Sequence, residues 1–132
     1  MAKALYVAYL TGVAGQSIGL FYIGDGVLAG IDVGTMPYDG AYTVKPDGSL
    51  EGAVEYVIPA GISLITGAPA GTAPTRVTIK LSLPARFDDG RVVTIDTPVG
   101  PVNVRFEKIK DIPSWSAQTA FGACNSKTGS TS

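Results

Sequence analysis

The side chains able to do chemistry are few, and their types exclude most catalytic arrangements. The 132-residue chain contains no histidine. That removes Ser-His-Asp and Cys-His nucleophile pairs, His-ligated zinc, and the group most used for acid–base work near neutrality. Cys124 is the one cysteine; it can form neither an intrachain disulfide nor a thiolate zinc site, and no candidate base stands near it in the sequence. Carboxylates remain. Asp25 and Asp32 flank a short apolar run, and Asp88-Asp89 precedes Gly90. Paired carboxylates can cleave glycosidic bonds or hold Ca²⁺, but aspartates beside glycines more often cap a turn through the local backbone. The glycines sit between apolar runs and do not lead into a helical pattern, so no phosphate-cradling loop is expected. The residue types thus point to a protein that is not an enzyme, with no catalytic residue, cofactor or metal ligand.

The elements that would position any site read as strands. Hydrophobic residues make up 45% of the chain and charged ones 16%, a globular composition in a length suited to one domain. Seventeen glycines and nine prolines fall as punctuation between β-rich runs. Residues 75–83 alternate cleanly: Val77, Ile79, Leu81 and Leu83 share one face, and Arg76, Thr78, Lys80 and Ser82 the other. Val102, Val104 and Phe106 alternate with Asn103, Arg105 and Glu107, and Val54, Tyr56 and Ile58 share a face. This is the pattern of antiparallel strands with one core face and one wet face. Val77, Ile79, Leu81, Leu83, Val102, Val104, Phe106, Val54 and Tyr56 are expected to be buried, and Arg76, Lys80 and Arg105 exposed.

Asp25-Gly26, Pro46-Asp47-Gly48, Asp88-Asp89-Gly90 and Pro98-Val99-Gly100-Pro101 supply the reversals. Counting 5–10 and 62–66 as strands too gives about nine candidates, of which eight or nine should form. The expected architecture is a single all-β domain over 1–112, an antiparallel barrel of about eight strands whose closure removes exposed edges. Residues 113–132 are expected to hold a short helix or turn at 114–123, with Trp115 folded back, and a disordered polar tail.

A formal charge of −1 argues against nucleic acid as a partner. No apolar run approaches the ~20 residues of a membrane span. Near the start, Tyr6, Tyr9 and Thr11 interrupt the apolar run, which reads as a first strand and not a signal peptide. With one cysteine, a reducing compartment is favoured and the expected location is cytoplasmic.

The front third departs from clean alternation. In 5–10 and 17–23 both faces are largely apolar, so the outer face of these strands would be left against water. A homodimer seam is expected there, using some of Tyr6, Ala8, Leu10, Phe21 and Ile23. Alternation does not say which parity faces outward, and Leu20 represents the opposite choice.

The run Asp25-Gly26-Val27-Leu28-Ala29-Gly30-Ile31-Asp32, followed by Tyr38-Asp39-Gly40-Ala41-Tyr42, resembles the GrlR-like proteins, negative regulators of bacterial type III secretion. The likeness extends loosely over 4–110, with 18–44 carrying the specific part. It implies a lipocalin-like barrel, a homodimer, a cytoplasmic location and a role by protein binding. In that family an acidic loop engages a transcriptional activator; the corresponding region here, 44–52, has only Asp47 and Glu51, so the activator-binding role does not carry over. The matching positions read as structural: Gly26 for the turn, Gly30 for close approach within a strand, Asp32 as an acceptor for backbone N–H groups of the next loop, and Tyr38 and Tyr42 on one face beside Gly40.

Two functions follow. The first is a regulatory or scaffolding protein acting through a dimer or an unidentified protein partner. The alternative is a carrier enclosing a small apolar molecule in the barrel. Whether the interior is filled separates them.

Overall fold

The computed structural model describes residues 3–113, which form eight strands and no helix. They are β1 (Ala4–Gly12), β2 (Gly15–Gly24), β3 (Val27–Asp32), β4 (Pro37–Val44), β5 (Leu50–Ile58), β6 (Thr75–Leu83), β7 (Val92–Thr97) and β8 (Gly100–Asp111). All are antiparallel in one sheet of order β6-β5-β4-β3-β2-β1-β8-β7. Because β1 pairs with both β2 and β8, the meander curls on itself. Its ends, β6 and β7, come into contact without a hydrogen-bonded ladder. The result is a nearly closed barrel with one seam.

Turn chemistry sets the reversals. Asp25 and Gly26 both take positive φ (52° and 78°), the type I′ geometry that matches strand twist. Beyond β4, Gly48 has φ 87°, and Asp47 accepts hydrogen bonds from the Ser49 backbone N–H (2.9 Å) and hydroxyl (2.6 Å). Those bonds, the hydroxyl's first, hold the Asp47 carboxyl below its usual range. Asp89 accepts from the Arg91 guanidinium at 2.9 and 3.0 Å. Asp25 and Asp32 lie at opposite ends of β3, about 20 Å apart at ~3.3 Å per residue, so they do not form a catalytic pair.

One expected strand is not formed. Residues 62–66 belong to a long connection, 59–74, that crosses one end of the barrel. Pro59, Gly61, Gly67 and Pro69 bracket the apolar run and break the extended backbone a strand would need. Its anchor is the Ala14 N–H donating to the Ile65 carbonyl (2.7 Å).

Register places the core. Val54, Val77, Leu81, Leu83, Val104 and Phe106 are buried; Tyr56, Ile79 and Val102 are half-buried. Arg76 and Lys80 are exposed, whereas Arg105 is half-buried, its guanidinium 4.3 Å above the Tyr9 ring. Gly30 has the tight surroundings its position suggested: the Phe21 ring, paired across from it, lies over the site a Cβ would occupy. The expected helix or turn at 114–123 and the tail beyond it lie outside the described residues. Among the described residues no helix is long and apolar enough to cross a membrane.

Candidate functional site

The five residues expected at a dimer seam point into the barrel. Tyr6, Ala8, Phe21 and Ile23 are buried, and Leu10 packs half-buried against the same core. The pairing Tyr6↔Phe21, Ala8↔Gly19 and Leu10↔Ser17 puts this parity inside. Phe21 can lie flat there only because Gly19 and Gly30 have no side chains to oppose its ring. The outer parity is therefore Leu5, Val7 and Tyr9 on β1, Ile18, Leu20 and Tyr22 on β2, and Val27, Ala29 and Ile31 on β3. Every one is apolar or aromatic. Ile18, Leu20, Val27 and Ile31 are 37%, 44%, 46% and 46% exposed. The outer faces of β5 and β6 differ sharply, carrying ion pairs such as Arg76–Glu55 (2.7 Å).

Inside, the two ends of the barrel are unlike. At the end where β1 begins, Ala4, Tyr6, Ile23, Tyr42, Leu50, Leu83 and Phe106 fill the space. The plug is Phe87, fully buried although it belongs to the 84–91 connection; its ring centroid is 5.3 Å from Tyr6 and 5.3 Å from Phe106. Sequence reasoning overlooked Phe87 because it lies outside any alternating run; a large aromatic midway between Pro84 and Gly90 was the available signal.

At the other end the barrel holds a cavity of about 320 Å³. Its floor is Phe21, Phe106, Leu28 and Val104, its walls include Tyr38, Tyr56, Ile79 and Val102, and residues 62–66 of the crossing connection form its roof. Rings run along one side: Phe106 to Phe21 (6.4 Å between centroids), Phe21 to Tyr38 (5.5 Å) and Tyr38 to Tyr56 (5.0 Å). Ile79, Ile95 and Thr97 line both this cavity and a groove over the β6–β7 seam, so the seam borders the chamber.

Polar groups gather at the rim. Asp32 ends β3 and stays half-buried. One of its carboxylate oxygens accepts the Met36 backbone N–H (3.0 Å), and the other accepts the Tyr38 hydroxyl (2.9 Å). The first bond ties the 33–36 turn, where Thr35 takes a φ of 63°. Burial, and then the Asp32 carboxylate, push the Tyr38 phenol far above its ordinary range; burial also raises Tyr56. Both phenols therefore stay protonated at neutral pH and serve as hydrogen-bonding hydroxyls.

Of the family-motif positions, Asp25 and Gly26 form the hairpin turn at the filled end, Gly30 underlies Phe21, and Tyr42 packs in the filled core. Gly40 shares the inward face with Tyr38 and Tyr42, where an added Cβ would meet the Ala53 carbonyl at 2.6 Å. Asp32 and Tyr38 alone of this set reach the cavity. Comparison of the chain with family models, with curated proteins and with solved structures returns no match.

Proposed function

We propose that this protein is a non-enzymatic binding protein that encloses a small, mainly apolar molecule in the open half of its barrel. The observation that carries this reading is the aromatic-walled cavity, whose volume reaches the lower bound of small-molecule sites. A cavity of 150 Å³ accommodates benzene, so 320 Å³ corresponds to about a dozen non-hydrogen atoms. At roughly 0.5 kcal/mol per atom, a well-fitting occupant would bind with a Kd of about 10–100 µM. Calorimetric titration of the full chain with 1-decanol tests this. The expected result is saturable binding in that range, abolished by Ile79→Trp, which fills the chamber from its wall. Absence of binding, or equal binding by Ile79→Trp, would overturn it.

A second reading rests on the outer face of β1, β2 and β3. Nine adjacent apolar side chains present several hundred Å² to solvent, near the upper limit for a monomer. A second copy covers such a face without another protein. A twofold axis parallel to the strands would set Asp39, beside the patch on β4, opposite Lys110, which lies level with it beside the patch on β8. This supports the homodimer implied by the GrlR-like resemblance, and with it a regulatory role through protein contact in the cytoplasm. The occupied barrel and the dimer are compatible, because they use opposite faces of the same strands.

A further inference from the structure

The cavity's polar rim indicates what class of molecule fits. Among the described residues, Asp32 is the one charged residue lining the chamber. Its carboxylate receives two hydrogen bonds, both from neutral donors, and it makes no ion pair with any lysine or arginine among the described residues. An ionised carboxylate offers about four acceptor sites, so about two remain open. A negative charge facing an apolar chamber interacts more strongly than one in water, because the surroundings screen it less. The adjoining Tyr38 and Tyr56 rings present faces that also attract cations. Nothing among the lining residues would neutralise an acid group.

We propose that the cavity selects a protonated amine on an apolar body of about a dozen non-hydrogen atoms. The ammonium would sit at Asp32 beside Tyr38, and the apolar body would extend toward Phe21 and Phe106. This rests on the enclosed-molecule reading and assigns its chemical class. A structural role of Asp32 alone, stapling the 33–36 turn through Met36, would give no preference for charge.

The test is a set of calorimetric titrations of the full chain with decylamine, 1-decanol and decanoate, which match in length and differ in head group. Decylamine is expected to bind about tenfold tighter than 1-decanol, and decanoate more weakly than either. Asp32→Asn should remove that tenfold preference and leave 1-decanol within about threefold. Glu55→Gln changes net charge equally from the outer face of β5, away from both the chamber and the apolar face, and should leave the preference intact. Decanoate binding as tightly as decylamine overturns the assignment, as does a preference that survives Asp32→Asn or disappears in Glu55→Gln. The wild-type order requires no variant, so it decides the matter even where Asp32→Asn unfolds. If 1-decanol binds without an advantage for the amine, the chemical class alone fails. If none of the three binds, the enclosed-molecule reading fails with it.

Discussion

Phe87→Ala probes what closes the bottom of the barrel. The Phe87 ring is fully buried, against Tyr6 and Phe106, yet it arrives from a connection and not from a strand. Removing it forfeits the transfer free energy of a buried aromatic side chain, about 1.5–3 kcal/mol. It also leaves a void on the order of 100 Å³, which at ~24 cal/mol per Å³ adds about 2.4 kcal/mol if nothing relaxes. Partial collapse of Tyr6 and Phe106 into the gap should recover some of this, giving a net loss of about 3–4 kcal/mol. For a domain of this size that corresponds to a fall in Tm of roughly 10–20 °C.

The assay is urea unfolding followed by far-UV circular dichroism, with ΔG extrapolated to water and the m-value compared with the wild type. The same variant should leave 1-decanol affinity within about threefold at 15 °C, because the plug lies beneath Phe106 and the chamber above it. A loss below about 1 kcal/mol would show that Phe87 is not the plug. Loss of binding in a folded variant would show that the two ends are not separate compartments.

Three further outcomes are expected. Leu20→Glu places a charge at the centre of the outer apolar face and should give a folded monomer where the wild type sediments as a dimer at micromolar concentration; a wild-type monomer would end the dimer reading. Gly30→Ala puts a methyl group against the Phe21 ring and 2.7 Å from the Leu20 carbonyl, which should cost about 1–3 kcal/mol and weaken 1-decanol binding as the ring is pushed toward the chamber. Tyr38 is neutral in the fold well past the pH at which the unfolded phenol ionises, so its contribution is complete below about pH 10 and is lost as pH rises further. Wild-type stability should therefore fall more steeply than that of Tyr38→Phe above pH 10, by up to about 1.4 kcal/mol per pH unit; parallel slopes would refute the burial of that hydroxyl.

How far the sequence could be read depended on whether one face of a strand is wet. In β6 and β8 the charged residues declare the outer face, and the inward parity followed directly. In β1 and β2 both faces are apolar, for different reasons: one lines a core, and the other is left uncovered by the described residues. Periodicity cannot separate those causes. Register does, and register depends on which residues can share the interior. Phe21 needs two glycines beneath its ring, Gly19 and Gly30, and only the folded sheet brings them together. The cavity was equally hidden, since it is assembled from every strand and a connection whose apolar run, 62–66, resembles a strand. Asp32 was legible as a turn-capping residue. That the same carboxylate also borders the chamber depends on Tyr38 folding inward from β4.

The unequal filling of the two ends argues that the chamber is retained for use. The filled end shows that this chain supplies large inward side chains where it needs them, including one delivered by a connection. At the open end β2 and β3 turn Ser17, Gly19 and Gly30 inward, and a connection forms the roof in place of a strand. Larger residues there, with Phe21 in another rotamer, would bring the interior toward normal packing density and remove a void that lowers stability. The Asp32 carboxylate on the same rim accepts two hydrogen bonds but has no lysine or arginine partner among the described residues. A domain whose work lay only on its outer surface would gain nothing from the void. Small inward residues, aromatic walls and a carboxylate with acceptor capacity to spare coincide at one end of the barrel, and the proposed bound molecule accounts for that coincidence.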